Sequence, residues 1–299
     1  KAVEGSSYYA SPLLYKENGF KEKAHAEKLI EDLTNKTAIV KTVEKGISKK
    51  RAPLLFNLAE LQAECSKRFK ISPDETLQVA QDLYERKLTT YPRTDARVLS
   101  SAVAKEISKN IRGLRSFEPV APFVQNIVEH GLYKNIGKSS YTDDSKITDH
   151  YAIIPTGQGL GALKGLSLTA QRVYETIVRR FLSIFYPPAV YQKVSLVTKM
   201  ENESFFSSFK VLLSEGYLKI AANSFAKKSM AEASGKTPES EGEGEVSCDE
   251  ALLAALQKLK KGDILNINGL GIKEGETSPP KRYNSGSMIL AMENAGQLI

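Results

Sequence analysis

A tyrosine and an arginine separated by a proline form the segment of this sequence best suited to chemistry. Residues 88–95 read LTTYPRTD and follow a predicted helix. Pro92 disfavours a helical backbone at the residue before it, so the chain is expected to be extended at Tyr91. Because alternate residues of an extended chain face the same side, Tyr91 and Arg93 are predicted to point into one site.

This pairing suits nucleophilic attack on a phosphodiester. A free phenol has a pKa of about 10, so only about 0.1% of it is phenolate at pH 7. A nearby guanidinium favours the charged oxygen and can hold a phosphate with its fork of donors. On the triplet alone, a structural role for Tyr91 and Arg93 is the commoner interpretation.

A second polar segment delivers one of only three histidines. Residues 142–156 read TDDSKITDHYAIIPT, in which His150 precedes a short apolar run. Its imidazole can donate to a phosphate or relay a proton, although a surface histidine paired with Asp149 is the simpler interpretation. The carboxylates of Asp143, Asp144 and Asp149 match no closed set of metal ligands, and no metal site is predicted here.

A third segment joins two cations to an aromatic ring. Residues 277–287 read TSPPKRYNSGS. Lys281 and Arg282 can meet phosphates of a nucleic acid, and the ring of Tyr283 can meet a base. An interdomain linker that begins a helix at 287–295 is the alternative interpretation.

Composition and charge set the class of protein. The chain has 299 residues, of which 41% are hydrophobic and 26% charged, which excludes a collagen, a wholly disordered chain and a membrane bundle. Its net charge of +7 hides a segment, residues 231–250, with seven acids and one lysine. The rest of the chain therefore carries +13, which suits a polyanionic partner. Cys65 and Cys248 lie far apart and form no C-x-x-C pair, which excludes zinc ribbons and thioredoxin-type chemistry.

Apolar periodicity predicts a helical region between two β-rich regions. Ser72 with Glu75 forms a capping box signal, and Asn57 is predicted to cap another helix. Pro-Pro after residue 186 ends the clearest helix. A basic run at 45–51 is expected to be a linker and the acidic stretch 231–247 a flexible loop. The predicted helices are 21–33, 57–69, 72–87, 101–112 and 167–186, and the predicted strands are 37–45, 189–199, 205–213, 217–221 and 263–268.

Taken together, these segments resemble type IA DNA topoisomerases, and within them the bacterial topoisomerase III branch. The match is specific at LYERKLTTYPRTDARVLS, and four further segments match in the same order: APLLFNLAELQ, SPDETLQVAQDLYE, TDHYAIIPT and TSPPKRYNSGSMILAMENAG. Two positions depart from the family's pattern, since Ala96 stands where serine is usual and Tyr151 where histidine or glutamate is frequent. The resemblance covers about residues 50–299.

The resemblance implies an α+β multidomain fold in which a helical, tyrosine-bearing domain is inserted into a β-rich arch domain. Residues 1–52 and 188–272 are expected to form the two parts of the arch domain, the second carrying the acidic loop 231–247. Residues 53–187 are expected to form the helical catalytic-tyrosine domain. Residues 273–299 are expected to be a remnant of a DNA-binding helical domain.

The resemblance also implies roles for individual residues. Tyr91 is expected to be the nucleophile that becomes a 5′-phosphotyrosine, while Arg93 holds the scissile phosphate and His150 contacts phosphate near the tyrosine. Among the expected DNA-binding residues, Thr94 and Asp95 are assigned a positioning role. The remaining expected DNA-binding residues are Lys281, Arg282 and Tyr283.

The implied whole protein cleaves one DNA strand, passes a strand and religates without ATP. Mg²⁺ is expected to be bound by a TOPRIM domain that this chain lacks, so that the chain alone is expected to be an inactive fragment with no cofactor of its own. Single-stranded DNA and that TOPRIM domain are the expected partners of a cytoplasmic monomer without a membrane segment. The alternative is a non-catalytic, basic module that binds single-stranded DNA and in which Tyr91 is inert.

Overall fold

The computed structural model describes residues 2–15, 19–224, 245–247 and 250–297. In chain order the helices are α1 Lys23–Leu33, α2 Leu58–Phe69, α3 Pro73–Glu85, α4 Ser101–Gly113, α5 Ala121–Glu129, α6 Leu168–Ser183, α7 Leu218–Ala221, α8 Glu250–Lys258 and α9 Ser285–Glu293. The strands are β1 Leu14–Tyr15, β2 Gly19–Phe20, β3 Ala38–Lys50, β4 Ala189–Met200, β5 Glu203–Ser214, β6 Glu245–Ser247 and β7 Ile264–Leu265.

The chain divides into two compact units. The first comprises residues 1–49, 190–214 and 228–279, and the second comprises residues 50–189, 215–227 and 280–299. Segments of the two units therefore alternate along the sequence. The mixture of a sheet-containing and a helical unit agrees with the predicted α+β class.

A five-stranded sheet forms the centre of the first unit. Its strand order is β6-β5-β4-β3-β7, with an antiparallel β4–β5 hairpin and a parallel β5–β6 pair. The buried side chains of β4 recur with strand periodicity, and Val194 packs with Leu253 and Leu256 of α8. A second cluster joins Leu33 of α1 to Ala38 and Met200. These two clusters form the apolar core on which the sheet packs.

Helix α6 is the core of the second unit. Its N-cap Ser167 accepts a hydrogen bond from the backbone of Ala170, and the predicted apolar stripe is confirmed: Val173, Ile177, Phe181 and Ile184 are all buried. The capping box of Ser72 and Glu75 at α3 and the Asn57 cap at α2 are also confirmed. These local signals specify the helices because capping satisfies backbone N–H groups that have no partner within the helix.

A buried ion pair attaches the segment around α7 to α6. Arg179 lies 2.6 Å from Glu175 and also donates to the backbone carbonyls of Ile220 and Pro119. Glu175 accepts two further hydrogen bonds, from the backbone and the hydroxyl of Ser224. The charges of both side chains are thus satisfied within the second unit, as buried charges require.

Three predictions of secondary structure were wrong in part. Residues 217–221 form the short helix α7 rather than a strand, because Gly216 adopts a left-handed backbone and the Tyr217 N–H donates to the carbonyl of Pro187. The basic run 45–51, expected to be a linker, instead extends strand β3 as far as Lys50. Within this extension, the carbonyl of Gly46 accepts a hydrogen bond from the Gln192 side chain. The strand expected at 263–268 shrinks to the two residues of β7, which pair with Ala38 and Ile39.

The acidic stretch lies mostly outside the described residues. Of the predicted loop 231–247, only residues 245–247 are described, and these form strand β6 rather than a loop. Cys248 is outside the described residues as well. Within the described part of the chain, no helix has the length and apolar content that crossing a bilayer requires.

Candidate active site

Tyr91 and His150 meet at a recess of about 400 Å³ in the second unit. Their ring centroids are 4.5 Å apart, with the ring planes inclined at 46°. Tyr84 packs edge-on against Tyr91 at 5.4 Å. The recess is lined by Tyr84, Lys87, Thr89, Thr90, Tyr91, His150, Tyr151, Thr156 and Gln158. Two of the three predicted catalytic residues therefore share one site.

Backbone hydrogen bonds between distant segments position this pair of rings. Helix α3 ends at Glu85, and the Thr90 N–H donates to the Ile154 carbonyl at 2.9 Å. The Thr90 hydroxyl donates to the Ala152 carbonyl at 3.1 Å and accepts from the Ile154 N–H at 3.0 Å. Because Ala152, Ile153 and Ile154 are fully buried, the run that follows His150 is held firmly in the core. The tyrosine segment is thus tied to the histidine segment.

Thr94 makes the most direct link between the two segments. It is only 6% exposed, and its hydroxyl donates to the backbone carbonyl of His150 at 2.7 Å. The same oxygen accepts the Ala96 N–H at 3.1 Å. Because the buried Thr94 hydroxyl already donates one hydrogen bond and accepts another, it is suited to positioning. The Asp95 side chain is exposed and is the more accessible of the two residues.

Replacing Thr94 by Val should destabilise the second unit. Valine keeps the shape of the side chain but leaves the His150 carbonyl without its donor and the buried Ala96 N–H without its acceptor, and a buried donor without a partner costs about 1–3 kcal/mol. We expect urea unfolding to show this loss, and the NMR shifts of the His150 ring to move as its packing on Tyr91 changes. Thr94→Ser keeps the hydroxyl and serves as the control. Equal unfolding midpoints for the Val and Ser variants would contradict the assigned role.

Arg93 faces outward with Tyr91 but lines a different groove. Pro92, Thr94 and Ala96 are buried, whereas Arg93 and Asp95 are exposed, which confirms the predicted alternation. The groove beside Arg93, of about 520 Å³, is otherwise formed by α3: Asp74, Leu77, Gln78, Gln81, Asp82 and Glu85. Tyr91 and Arg93 thus lie on the outward side of the segment but line two different hollows.

The reactive groups carry no internal partners among the described residues. No described hydrogen bond or ion pair engages the Tyr91 hydroxyl, the His150 ring or the Arg93 guanidinium. The alternative pairing of His150 with Asp149 is likewise not found among the described ion pairs. In the absence of substrate, a site that acts on a phosphate needs hydrogen-bond donors and a nucleophilic hydroxyl that are not engaged by other side chains.

Competing nucleophiles are less suitable than Tyr91. Burial raises the pKa of the Tyr151 phenol, which shares the recess, so its phenolate is disfavoured. Burial also raises the pKa of the Cys65 thiol to about 12. A thiol with that pKa stays protonated and is a poor nucleophile.

The acidic side chains near His150 are engaged in local structure. Hydrogen bonds from Ser145 lower the pKa of Asp143, and hydrogen bonds from Ser101 lower the pKa of Asp144. The described part of the chain contains no group of three or more His, Cys, Asp or Glu residues that could hold a metal ion. The described residues therefore offer no set of ligands that fits a Mg²⁺ site.

The predicted DNA-binding segment lies immediately before α9. Lys281 and Arg282 are exposed, and Tyr283 is 61% exposed. Asn284 follows as the N-cap of α9 and forms a capping box with Ser287. Lys281, Arg282 and Tyr283 are thus exposed to solvent just before the capped start of α9.

The recess contains residues that sequence reasoning missed. Lys87 lies in a left-handed backbone conformation, with φ of 61°, at the end of α3. The Thr89 hydroxyl is buried without a hydrogen-bond partner beside the recess. Gln158 and Tyr151 complete its wall. The position of Lys87 at the end of the predicted helix 72–87 was the only available signal, and nothing in the sequence alone distinguished it from an ordinary surface lysine.

Comparison with known proteins identifies the family. A model of the DNA topoisomerase family matches residues 4–296. DNA topoisomerase 3 of Bacillus licheniformis is 36% identical over 263 residues, which cover 88% of this chain and 33% of that protein. DNA topoisomerase 3 of Bacillus subtilis is 35% identical over 268 residues, 89% of this chain and 34% of that protein. The chain thus spans about a third of the length of these relatives.

A solved structure supports the fold. Full-length topoisomerase I from Thermotoga maritima matches 94% of this chain and 41% of its own, with a TM-score of 0.59 and 23% sequence identity. The chain therefore has the α+β fold of a type IA topoisomerase. Together with the family match, these findings show that the chain belongs to the DNA topoisomerase family, as a type IA member similar to bacterial topoisomerase III.

Proposed function

We propose that this chain carries the nucleophile of an enzyme that cleaves one DNA strand and rejoins it. The Tyr91 hydroxyl oxygen attacks a phosphorus atom and loses its proton to solvent. The bond from phosphorus to the 3′ oxygen breaks, and that oxygen takes up a proton. The products are a 5′-phosphotyrosine and a free 3′-hydroxyl, so the phosphoester is conserved and no ATP is needed.

The observation that carries this proposal is the contact between the Tyr91 and His150 rings in one recess. His150 is placed to donate to an oxygen of the phosphate under attack, because its ring lies against the attacking phenol. The hydrogen bond from the Thr94 hydroxyl to the His150 carbonyl holds the tyrosine segment and the histidine segment at a fixed separation. Lys87 adds a cation to the same recess, which favours an anionic substrate.

Arg93 is proposed to hold the DNA backbone on the outer side of the tyrosine. It emerges from the same face of the segment as Tyr91, and none of the described ion pairs uses its guanidinium. A bidentate contact to phosphate is the geometry that this side chain provides best. A strand that crosses from the Arg93 groove to the recess would bring successive phosphates to the two sites.

Mg²⁺ and strand passage belong to the whole protein in this proposal. The family resemblance implies a TOPRIM domain whose carboxylates bind Mg²⁺, and the described residues contain no equivalent ligand set. When bound, that ion would supply charge stabilisation at the phosphate.

The test is detection of a covalent complex. The whole protein that contains this chain is incubated with a single-stranded oligonucleotide and Mg²⁺ and then denatured rapidly. We expect a fraction of the protein to retain DNA after denaturation. If the protein binds the oligonucleotide but no covalent species forms, the alternative of a non-catalytic binding module with an inert Tyr91 is the correct one.

Binding of single-stranded DNA should depend strongly on salt and should weaken when Lys281 and Arg282 are both replaced by Ala. Each phosphate contact contributes about 0.7 to the slope of log affinity against log salt for a single strand. The double variant should therefore lower the slope by about 1.4 if both residues contact phosphate. Fluorescence anisotropy at several salt concentrations measures it.

A double alanine variant of Lys105 and Lys109 provides the matched control for this charge change. Both side chains are exposed on α4, which contributes no residue to the recess. The control should keep the wild-type slope. An unchanged slope for the Lys281/Arg282 variant would remove this segment from the proposed DNA interface.

A further inference from the structure

Asn57 connects the tyrosine segment to the last described helix. It is 1% exposed and caps α2 by accepting the Glu60 N–H at 2.9 Å. Its side-chain amide nitrogen donates to the backbone carbonyl of Asp95 at 3.2 Å and to the carboxylate of Glu293 at 2.5 Å. Every polar atom of this buried side chain is therefore used, by three different parts of the second unit.

The Asp95 carbonyl belongs to the segment that carries the proposed nucleophile. The neighbouring Thr94 carbonyl accepts the Leu58 N–H at 3.1 Å. The start of α2 therefore donates hydrogen bonds to two consecutive residues of that segment. On its other side, the Thr94 hydroxyl holds the backbone of His150. The backbone after Tyr91 is thus fixed between α2 and the histidine segment.

The Glu293 carboxylate determines which way the Asn57 amide points. A carboxylate accepts hydrogen bonds but cannot donate them. If the amide were flipped, its oxygen would face both the carboxylate and the Asp95 carbonyl, and its NH₂ group would face the N–H of Glu60. The charge-assisted bond to Glu293 therefore secures the orientation that holds Asp95.

Glycine at the start of α9 permits the close packing that brings Glu293 to Asn57. A Cβ added at Gly286 would lie 3.0 Å from the Ala63 Cα and 3.1 Å from the Ser66 Cβ, both on α2. A side chain at this position would require the facing atoms of α2 to move by a few tenths of an ångström. Because α9 begins directly after Lys281, Arg282 and Tyr283, the same helix fixes the exposed cationic segment.

We propose that Asn57 and Glu293 are positioning residues for the Tyr91 segment. Glu293 orients the Asn57 amide, Asn57 holds the Asp95 backbone, and α9 thereby couples the cationic segment at 281–283 to the proposed nucleophile. This inference rests on the proposed function, since its effect is on cleavage by Tyr91. A small displacement of a reacting group costs up to about 100-fold in rate, so the coupling has a measurable consequence.

The first test changes Glu293, which is exposed and tolerates substitution. Glu293→Gln keeps an acceptor for the Asn57 amide and should form the covalent DNA adduct within about 2-fold of the wild-type rate. Glu293→Ala removes the acceptor and should slow adduct formation about 10-fold, with the affinity for the oligonucleotide and the melting temperature nearly unchanged. An alanine variant as fast as the glutamine variant would overturn the role of Glu293.

The second test separates positioning from folding at Asn57. Asn57→Asp keeps the cap on α2 but replaces the donor to Asp95 and places a carboxylate against Glu293. Combining Asn57→Asp with Glu293→Gln removes the repulsion from Glu293 and should recover part of the fall in melting temperature, while cleavage stays about 10-fold slow because the Asp95 carbonyl still lacks its donor. Recovery of the wild-type cleavage rate by the double variant would overturn the role of Asn57.

The wild-type protein keeps this inference distinct from the proposed function. If the wild type forms no covalent adduct, the proposed function fails before any variant is compared. If the wild type forms the adduct and both Glu293→Ala and the Asn57 double variant match it, only the positioning inference fails. If Asn57→Asp does not fold, the comparison of Glu293→Ala with Glu293→Gln still decides the role of α9.

Discussion

Replacing Tyr91 by Phe should abolish the covalent protein–DNA adduct of the whole protein and leave its fold intact. The change removes one oxygen atom, and that atom has no hydrogen-bond partner among the described residues. The ring keeps its contacts with His150 and Tyr84. Removing a nucleophile costs at least about 10⁴-fold in rate in comparable covalent enzymes. Denaturing electrophoresis with labelled DNA measures the adduct.

Tyr84→Phe is the matched control for this variant. Tyr84 lines the same recess and its ring lies 5.4 Å from that of Tyr91, so it experiences the same surroundings. We expect this variant to retain adduct formation within about 3-fold, because its hydroxyl takes no part in the bond that forms. An adduct that survives in Tyr91→Phe and disappears in Tyr84→Phe would show that the wrong tyrosine has been assigned.

Replacing Arg93 by Ala should slow cleavage by up to about 100-fold, because a strand that has lost this backbone contact brings its scissile phosphate to Tyr91 in a displaced position. Arg93→Lys should recover part of this loss, because lysine restores the charge but not the bidentate fork. Single-turnover cleavage of a labelled oligonucleotide at saturating protein separates this effect from weaker binding.

Arg86→Ala tests whether the effect is specific to Arg93. Arg86 lies just beyond the end of α3, and its guanidinium is already paired with Asp82 at 2.7 Å. Its removal takes away the same formal charge from the same region and should change cleavage by less than about 2-fold. If Arg93→Ala cleaves as fast as Arg86→Ala, the groove beside α3 does not hold the scissile strand.

The sequence alone predicted the parts of the site that depend on local signals. The capping box of α3 fixes where that helix starts, and Pro92 forces an extended backbone after it ends. These two features suffice to turn Tyr91, Arg93 and Asp95 outward. The ordered motifs of the family then linked this segment to His150, and the structure brings the two rings together.

The rest of the site depends on contacts between residues distant in the sequence. Asn57 and Glu293 are 236 residues apart, and no local pattern relates a helix cap to a glutamate at the end of another helix. The sequence pattern also could not predict that Arg93 and Tyr91 line two different hollows, because residues outside their segment complete each lining. The helix at 218–221 was missed because Gly216 and its contact with Pro187 override the β-branched and aromatic composition.

The most direct test of the central claim is to identify the amino acid that becomes linked to DNA. The denatured adduct is digested with protease and nuclease, and the nucleotide-bearing peptide is sequenced by mass spectrometry. The account predicts a single modified peptide, with Tyr91 joined to a 5′-phosphate and the released strand ending in a 3′-hydroxyl. A phosphate on Tyr84, Tyr151 or any other residue, or a linkage to a 3′-phosphate, would contradict it.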